Sequence, residues 1–192
     1  MSNLVAITRS ILEQMPPSVR FRPDDAQLIV SQQQLLLGLE DTLVAGFYDT
    51  LFAHTPTRAI FQDGERPARE KTLSDWWRRT LSGPFDGNYW TWQALVGLIH
   101  VKRKVKNPMM IAMWGWLLQT LRQELGGKVP AGTLEPLLDS FTRLAATIQA
   151  LTAESYLEHY IKALCEATGF EPELLDRLVS NEIDSLLQAT GR

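Results

Sequence analysis

The chain has 192 residues, of which 45 % are hydrophobic and 21 % charged, and it carries a net charge of −3 at pH 7. That length suits one domain with an extra helix, buries a large core without staples, and is too apolar for a disordered segment. The small negative balance gives no overall pull toward nucleic acid, and the lone Cys165 rules out a disulfide framework or a cysteine-rich metal site.

A single cysteine suits a reducing cytoplasm. The N-terminus lacks a basic flank followed by a long apolar core, so no signal peptide is expected. No apolar run reaches spanning length, so no membrane segment is expected either.

In chain order, Leu4 to Met15 forms a short amphipathic segment closed by Pro16-Pro17. Asp24-Asp25 starts a helix running to about Leu37, where Gly38 interrupts it. A second helix spans Glu40 to His54 and stops at Thr55-Pro56, because proline cannot continue the hydrogen-bond ladder. A helical turn over Pro56 to Phe61 leads to the loop Gln62-Asp63-Gly64. A third helix, Pro67 to Ser82, buries Leu73, Trp76, Trp77 and Leu81 and ends at Gly83-Pro84. Helices follow over Asp86 to Val105 and Pro108 to Leu125, the latter stopped by Gly126-Gly127. A long helix covers about Leu134 to Ala167, and Glu171-Pro172 opens a last amphipathic one. No alternating strand pattern or repeat is present, so the reading is all-α with about eight helices. It divides into an N-terminal extension (1–23), a main domain (24–167) and a C-terminal helix (168–192).

The chemistry concentrates between Tyr89 and Leu125. His100 lies on an apolar helix, with Val96 and Gly97 one turn before it and Arg103 and Lys104 one turn after it. Gly97 leaves room for a flat ligand to approach, the two cations are placed to meet carboxylates at its edge, and Leu95, Leu98 and Ile99 point into a helical core. Apolar walls, one imidazole and a basic rim describe the proximal side of a haem pocket. They equally describe a hydrogen-bonded core histidine, and spacing alone does not separate the two.

The order of features goes further. Phe47-Tyr48-Asp49 is followed by His54-Thr55-Pro56 and Phe61, then Trp76-Trp77 and Leu81-Ser82-Gly83, then Gly97-Leu98-Ile99-His100-Val101, then a proline-started helix with Trp114. Over about residues 25–165 this resembles the sensor globins: the globin domains of globin-coupled sensors and the single-domain protoglobins. The resemblance implies a globin fold and haem b, with its iron held by His100 and a diatomic gas as ligand. It implies that Tyr48, preceded by Phe47, donates a hydrogen bond to bound oxygen. Such a bond to a charged group contributes roughly 1.5–3 kcal/mol, on the order of tenfold to a hundredfold in affinity. The free ring N–H of His100 is expected to donate to the carbonyl near Val96. Arg69, Thr72, Leu73 and Trp76 share a face of the third helix, which puts Thr72 in reach of a water or Tyr48 and Arg69 in reach of the pocket mouth, although a solvated or packing role is the simpler reading of each. The basic run Lys102 to Lys106 before Pro108 is longer than in the family.

The helices 108–125 and 134–167 carry more apolar surface than one small fold covers. In the family the corresponding pair packs against its copy, so a homodimer is expected, with the terminal helix free to extend that interface or dock an output partner. The function implied is a gas or redox sensor rather than an enzyme. The alternatives are a nitric-oxide-consuming haem globin and a haem-less interaction domain.

Overall fold

The computed structural model describes residues 2–191. It holds ten helices among them: α1 (Ser2–Gln14), α2 (Pro23–Ser31), α3 (Gln33–Leu37), α4 (Glu40–Ala53), α5 (Thr55–Arg58), α6 (Arg66–Ser82), α7 (Gly87–Arg103), α8 (Asn107–Leu125), α9 (Ala131–Thr168) and α10 (Pro172–Ala189). The expected all-α architecture holds, and its boundaries fall close to those read from the sequence. Five helices carry proline in their first turn. There the missing N–H is one that no helix would use and the fixed φ suits the helix start.

Two differences account for the higher count. The helix expected over Asp24 to Leu37 breaks at Gln32, whose backbone (φ −100°, ψ 11°) leaves the helical region, so α2 and α3 are separate. The turn after His54 is a short helix of its own.

The centre of the molecule is a large apolar cluster in which Leu137, Phe141 and Leu144 of α9 meet Ile29, Leu36, Trp77, Leu81 and Leu121, all of them buried. At its edge Asp25, 2 % exposed, accepts hydrogen bonds from Arg143, Ser140 and the Arg22 backbone N–H. Asp25 is therefore more than an acidic helix start: it anchors α2 on α9. Burial pushes its carboxyl up, but the bonds from Arg143, Arg22 and Ser140 outweigh that and hold it below the usual carboxylate value.

α7 lies along α9 and is flanked by α1. Ala94 shares a cluster with Leu151 and Ile11, and Gly97 abuts Thr152, Ser155 and Tyr156, so α7 and α9 run in the same direction. α6 packs instead on α4, α3 and α2. The two consecutive helices α6 and α7 therefore belong to different packing groups, and long side chains bridge them.

Candidate functional site between α6 and α7

Asp86 starts α7 as its N-cap, accepting the Tyr89 backbone N–H at 2.9 Å. From there α7 runs antiparallel to α6, and the bridges can be followed rung by rung. The Tyr89 and Thr80 hydroxyls are 3.0 Å apart. The Trp76 indole N–H donates to the Gln93 side-chain carbonyl at 3.3 Å. At the far end Arg103 closes on Glu65, with Nη1 2.7 Å from Oε1 and Nη2 donating to Oε2 at 3.1 Å. His100 lies on the same face of α7 as Tyr89, Gln93 and Arg103, in the interval between the last two rungs.

His100 is half-buried, and neither ring nitrogen makes a hydrogen bond among the described residues. Burial, with a smaller contribution from Arg103, pushes its pKa below the ordinary value, so the ring is held neutral. Two turns earlier, the Nε2 donor of Gln93 is buried beside the Tyr89 hydroxyl, without a well-aligned hydrogen-bond partner among the described residues. One face of α7 thus carries a neutral imidazole and, two turns earlier, a buried amide held between Trp76 and Tyr89.

On the side of α6 that meets α4, Tyr48 is 6 % exposed, and its hydroxyl donates to the backbone carbonyl of Arg69 at 2.9 Å. Burial raises its pKa to about 12, so the phenol keeps its proton. It packs with Leu51 and Met113, and Phe47, Phe52, Phe61, Leu73 and Trp116 surround that cluster. Phe47 sets its edge against Trp116 at 5.8 Å between ring centroids. Trp76 lies edge-on to Trp114 at 5.7 Å.

Several expected roles change. Gly97 does not face a ligand: a Cβ there would sit 2.4 Å from the Thr152 carbonyl oxygen and 2.9 Å from the Tyr156 nitrogen. Its missing side chain serves the contact with α9. The ring of His100 makes no bond to the Val96 carbonyl. Thr72 is exposed and spends its hydroxyl on the Ala68 carbonyl of its own helix. The proton of Tyr48 is committed to Arg69 rather than standing open. Lys104 is not a helical neighbour of His100, because α7 ends at Arg103 and Lys104 caps it in the left-handed conformation, φ 57°. Leu95, Leu98 and Ile99, expected in the core, are 37–44 % exposed.

Arg69 and Arg103 do come together at the rim, but on a carboxylate that the sequence reading passed over. Arg69 Nε lies 2.9 Å from Glu65 Oε1, off the line of its N–H, so this contact is an ion pair without hydrogen-bond geometry. Glu65 also accepts the Gln62 backbone N–H, and with Arg103 as the main cause its pKa falls to about 2. The available signal was its place just before Pro67, at the cap of an arginine-bearing helix. Gln93 carried no signal, since a glutamine on an apolar helix reads as solvated.

Two hollows lie elsewhere. One, about 270 Å³, is lined by residues of α1 and α9, and a charged groove of about 540 Å³ is lined by residues of α4 and α6. His100 and Tyr48 line neither of them.

The order and packing of the helices are those of a globin fold. The Protoglobin family profile matches residues 9–162, most of the chain. This protein belongs to the protoglobin family. Among solved structures it is similar to the globin domain of a Geobacter sulfurreducens globin-coupled sensor, with a TM-score of 0.66 and 18 % identity over 81 % of this chain and 97 % of that one. A search of curated proteins finds no match.

Proposed function

We propose that this globin-type domain binds haem b through His100 and senses a diatomic gas. The observation that carries the reading is the neutral His100 ring without a hydrogen-bond partner, set between two helices of a protoglobin fold. A neutral imidazole is the donor an iron needs. Among the described residues no group of three His, Cys, Asp or Glu side chains is placed to hold a bare ion. A lone imidazole therefore suits a metal that arrives with its other ligands already attached. The donor set fits haem. Once bound, that group supplies an iron with an open position for oxygen, carbon monoxide or nitric oxide.

The chain's own residues have distinct tasks. His100 would hold the iron through one ring nitrogen. Its second ring N–H has no protein acceptor among the described residues, so a water, or the Val96 carbonyl after a small ring rotation, sets its tautomer. Tyr48 holds a proton in an apolar, aromatic surrounding. To donate it to a gas ligand, the hydroxyl turns away from the Arg69 carbonyl, so part of any gain is offset by the bond given up. Phe47, Phe61, Leu73 and Trp76 exclude water from that side. Arg69, whose Nη groups make no hydrogen bond among the described residues, and the exposed Lys104 are the cations left to meet the haem carboxylates, because Arg103 is engaged by Glu65.

Signalling runs through a homodimer formed by α8 and α9, or through a partner bound at the C-terminal arm. Exposed Ile111, Leu157, Tyr160, Ile161 and Leu164 on those helices support it.

The test is the visible spectrum of the protein as purified and after titration with haemin. An intense haem band that His100→Ala removes is the expected outcome. A parent chain that takes up no haemin overturns the reading.

A further inference from the structure

Glu65 does more than neutralise a surface arginine. Its carboxylate is 13 % exposed and touches the last turn of α7 through Arg103 and the first turn of α6 through Arg69. The Gln62 backbone N–H fixes it from the preceding loop. Arg103 also lies over the Phe61 ring, 5.9 Å from its centroid, and the Phe61 ring is 6.0 Å from that of Tyr48. The backbone carbonyl of Arg69 in turn holds the Tyr48 hydroxyl. A continuous set of contacts therefore joins the helix of His100 to the Tyr48 phenol, and Glu65 is the member that touches both α6 and α7.

The opposite end of the interval is closed differently. There Tyr89 with Thr80 and Gln93 with Trp76 make neutral, buried or half-buried bonds. The ionic closure keeps part of its surface open to water, Arg103 at 26 % and Glu65 at 13 %, whereas Gln93, Tyr89 and Thr80 at the neutral end are no more than 1 % exposed.

We propose that Glu65 is a positioning residue, a clamp between α6 and α7 that sets the separation of His100 from Tyr48 and gates entry of a flat ligand between them. The proposal rests on the haem reading above. A carboxylate that only balanced charge would have no effect on the rate at which ligand passes. A clamp affects entry and exit together, and affinity less than either. Isosteric removal of the charge, Glu65→Gln, keeps the size of the side chain and the acceptor for Gln62. It is expected to raise the rates of haemin uptake and of haemin loss to an apo-globin trap by roughly tenfold each. Arg103→Gln is expected to match it, and the double variant to be no faster than either single one, because both changes break one contact. Parent-like rates in Glu65→Gln, or additive rates in the double variant, overturn the clamp.

A second measurement is independent of haem. In the ligand-free full chain, the amides of Lys104 and Val105, bonded to the Val101 and His100 carbonyls, report the last turn of α7. Their hydrogen exchange is expected to quicken by about tenfold in Glu65→Gln while amides in the middle of α9 keep their protection. Unchanged exchange at those two amides removes the clamp. Haemin that fails to bind the parent chain removes the haem reading instead and leaves this measurement standing.

Discussion

α9 is one continuous helix with two environments. From Leu137 to Ser155 its apolar residues are sealed against α1, α2, α7 and α8, with Trp77 of α6 stacked on Phe141, and Phe141, Leu144 and Leu151 are fully buried. From Leu157 onward the same helix, with α10, leaves eleven large apolar side chains 38–53 % exposed, and Cys165 is the buried exception. Seven acidic residues and two basic ones lie between Leu157 and Ala189. The helical period is the same in both halves; what differs is whether another element of this chain lies across the apolar stripe. Apolar periodicity therefore marks a surface that needs a partner, and it is silent on whether the partner is in the same chain.

The comparison can be broken by paired substitutions. Phe141→Ala in the buried half is expected to cost about 3–5 kcal/mol of unfolding free energy in urea, because the cavity is enclosed on every side. Leu186→Ala on α10, 53 % exposed, is expected to stay within about 0.5 kcal/mol at low protein concentration. Equal costs would mean that the arm packs against the body after all.

Arg143→Ala tests the polar edge of the same half. Asp25 would remain buried with its closer ion partner gone and only the longer Arg22 ion contact, 3.5 Å, left, a change expected to cost about 3 kcal/mol. The sign with pH follows from the lowered pKa of Asp25. Its contribution is fully present above the unfolded carboxylate value of about 3.9 and is lost as pH falls through the folded value. Denaturation of the parent chain should therefore show stability falling on acidification, and Arg143→Ala should show a flatter profile. An equally steep acid loss in the variant would assign the slope to other carboxylates.

A smaller effect sits where α7 meets the buried half. Gly97→Ala places a methyl within 2.4 Å of the Thr152 carbonyl and should cost about 1–3 kcal/mol by calorimetry. Gly115→Ala on α8 meets nothing within 4 Å and should gain about 0.5–1 kcal/mol from helix propensity. A stabilising Gly97→Ala would show that α7 and α9 are not locked at this crossing.

These residues also show where reading a sequence runs out. The helices were legible because their ends carry local chemistry: Pro56, Pro67, Pro108 and Pro172 open them, and Gly83, Gly126 and Gly169 close them. Tyr48 and His100 were legible as members of an ordered pattern. Direction was not. Gly97 faces α9, and Leu95, Leu98 and Ile99 face outward, because the face of α7 that turns inward is decided by α9, some fifty residues later in the chain. Glu65 and Asp25 escaped for the same reason: the guanidinium groups that give each its role stand 38 and 118 residues away. A charge read alone looks solvated, and only its partner makes it structural.

The least costly change removes α10 altogether. A chain ending at Thr168 loses an 18-residue helix that buries none of its side chains, so its core contacts stay intact. Its thermal midpoint, measured at low concentration, should lie within about 2–4 °C of the parent's. What should change is association. An 18-residue helix is marginal alone in water, so the exposed stripe of Leu174, Leu178, Val179, Ile183 and Leu187 gains its stability from whatever covers it. If that is a second copy, sedimentation should show the full chain dimerising more tightly than the shortened one, with the difference growing at high salt, which screens the mutual repulsion of two acidic arms. If both chains associate alike, α8 and the Leu157–Leu164 stretch of α9 carry the dimer and the acidic, apolar α10 is left for a partner whose groove is edged with lysine and arginine.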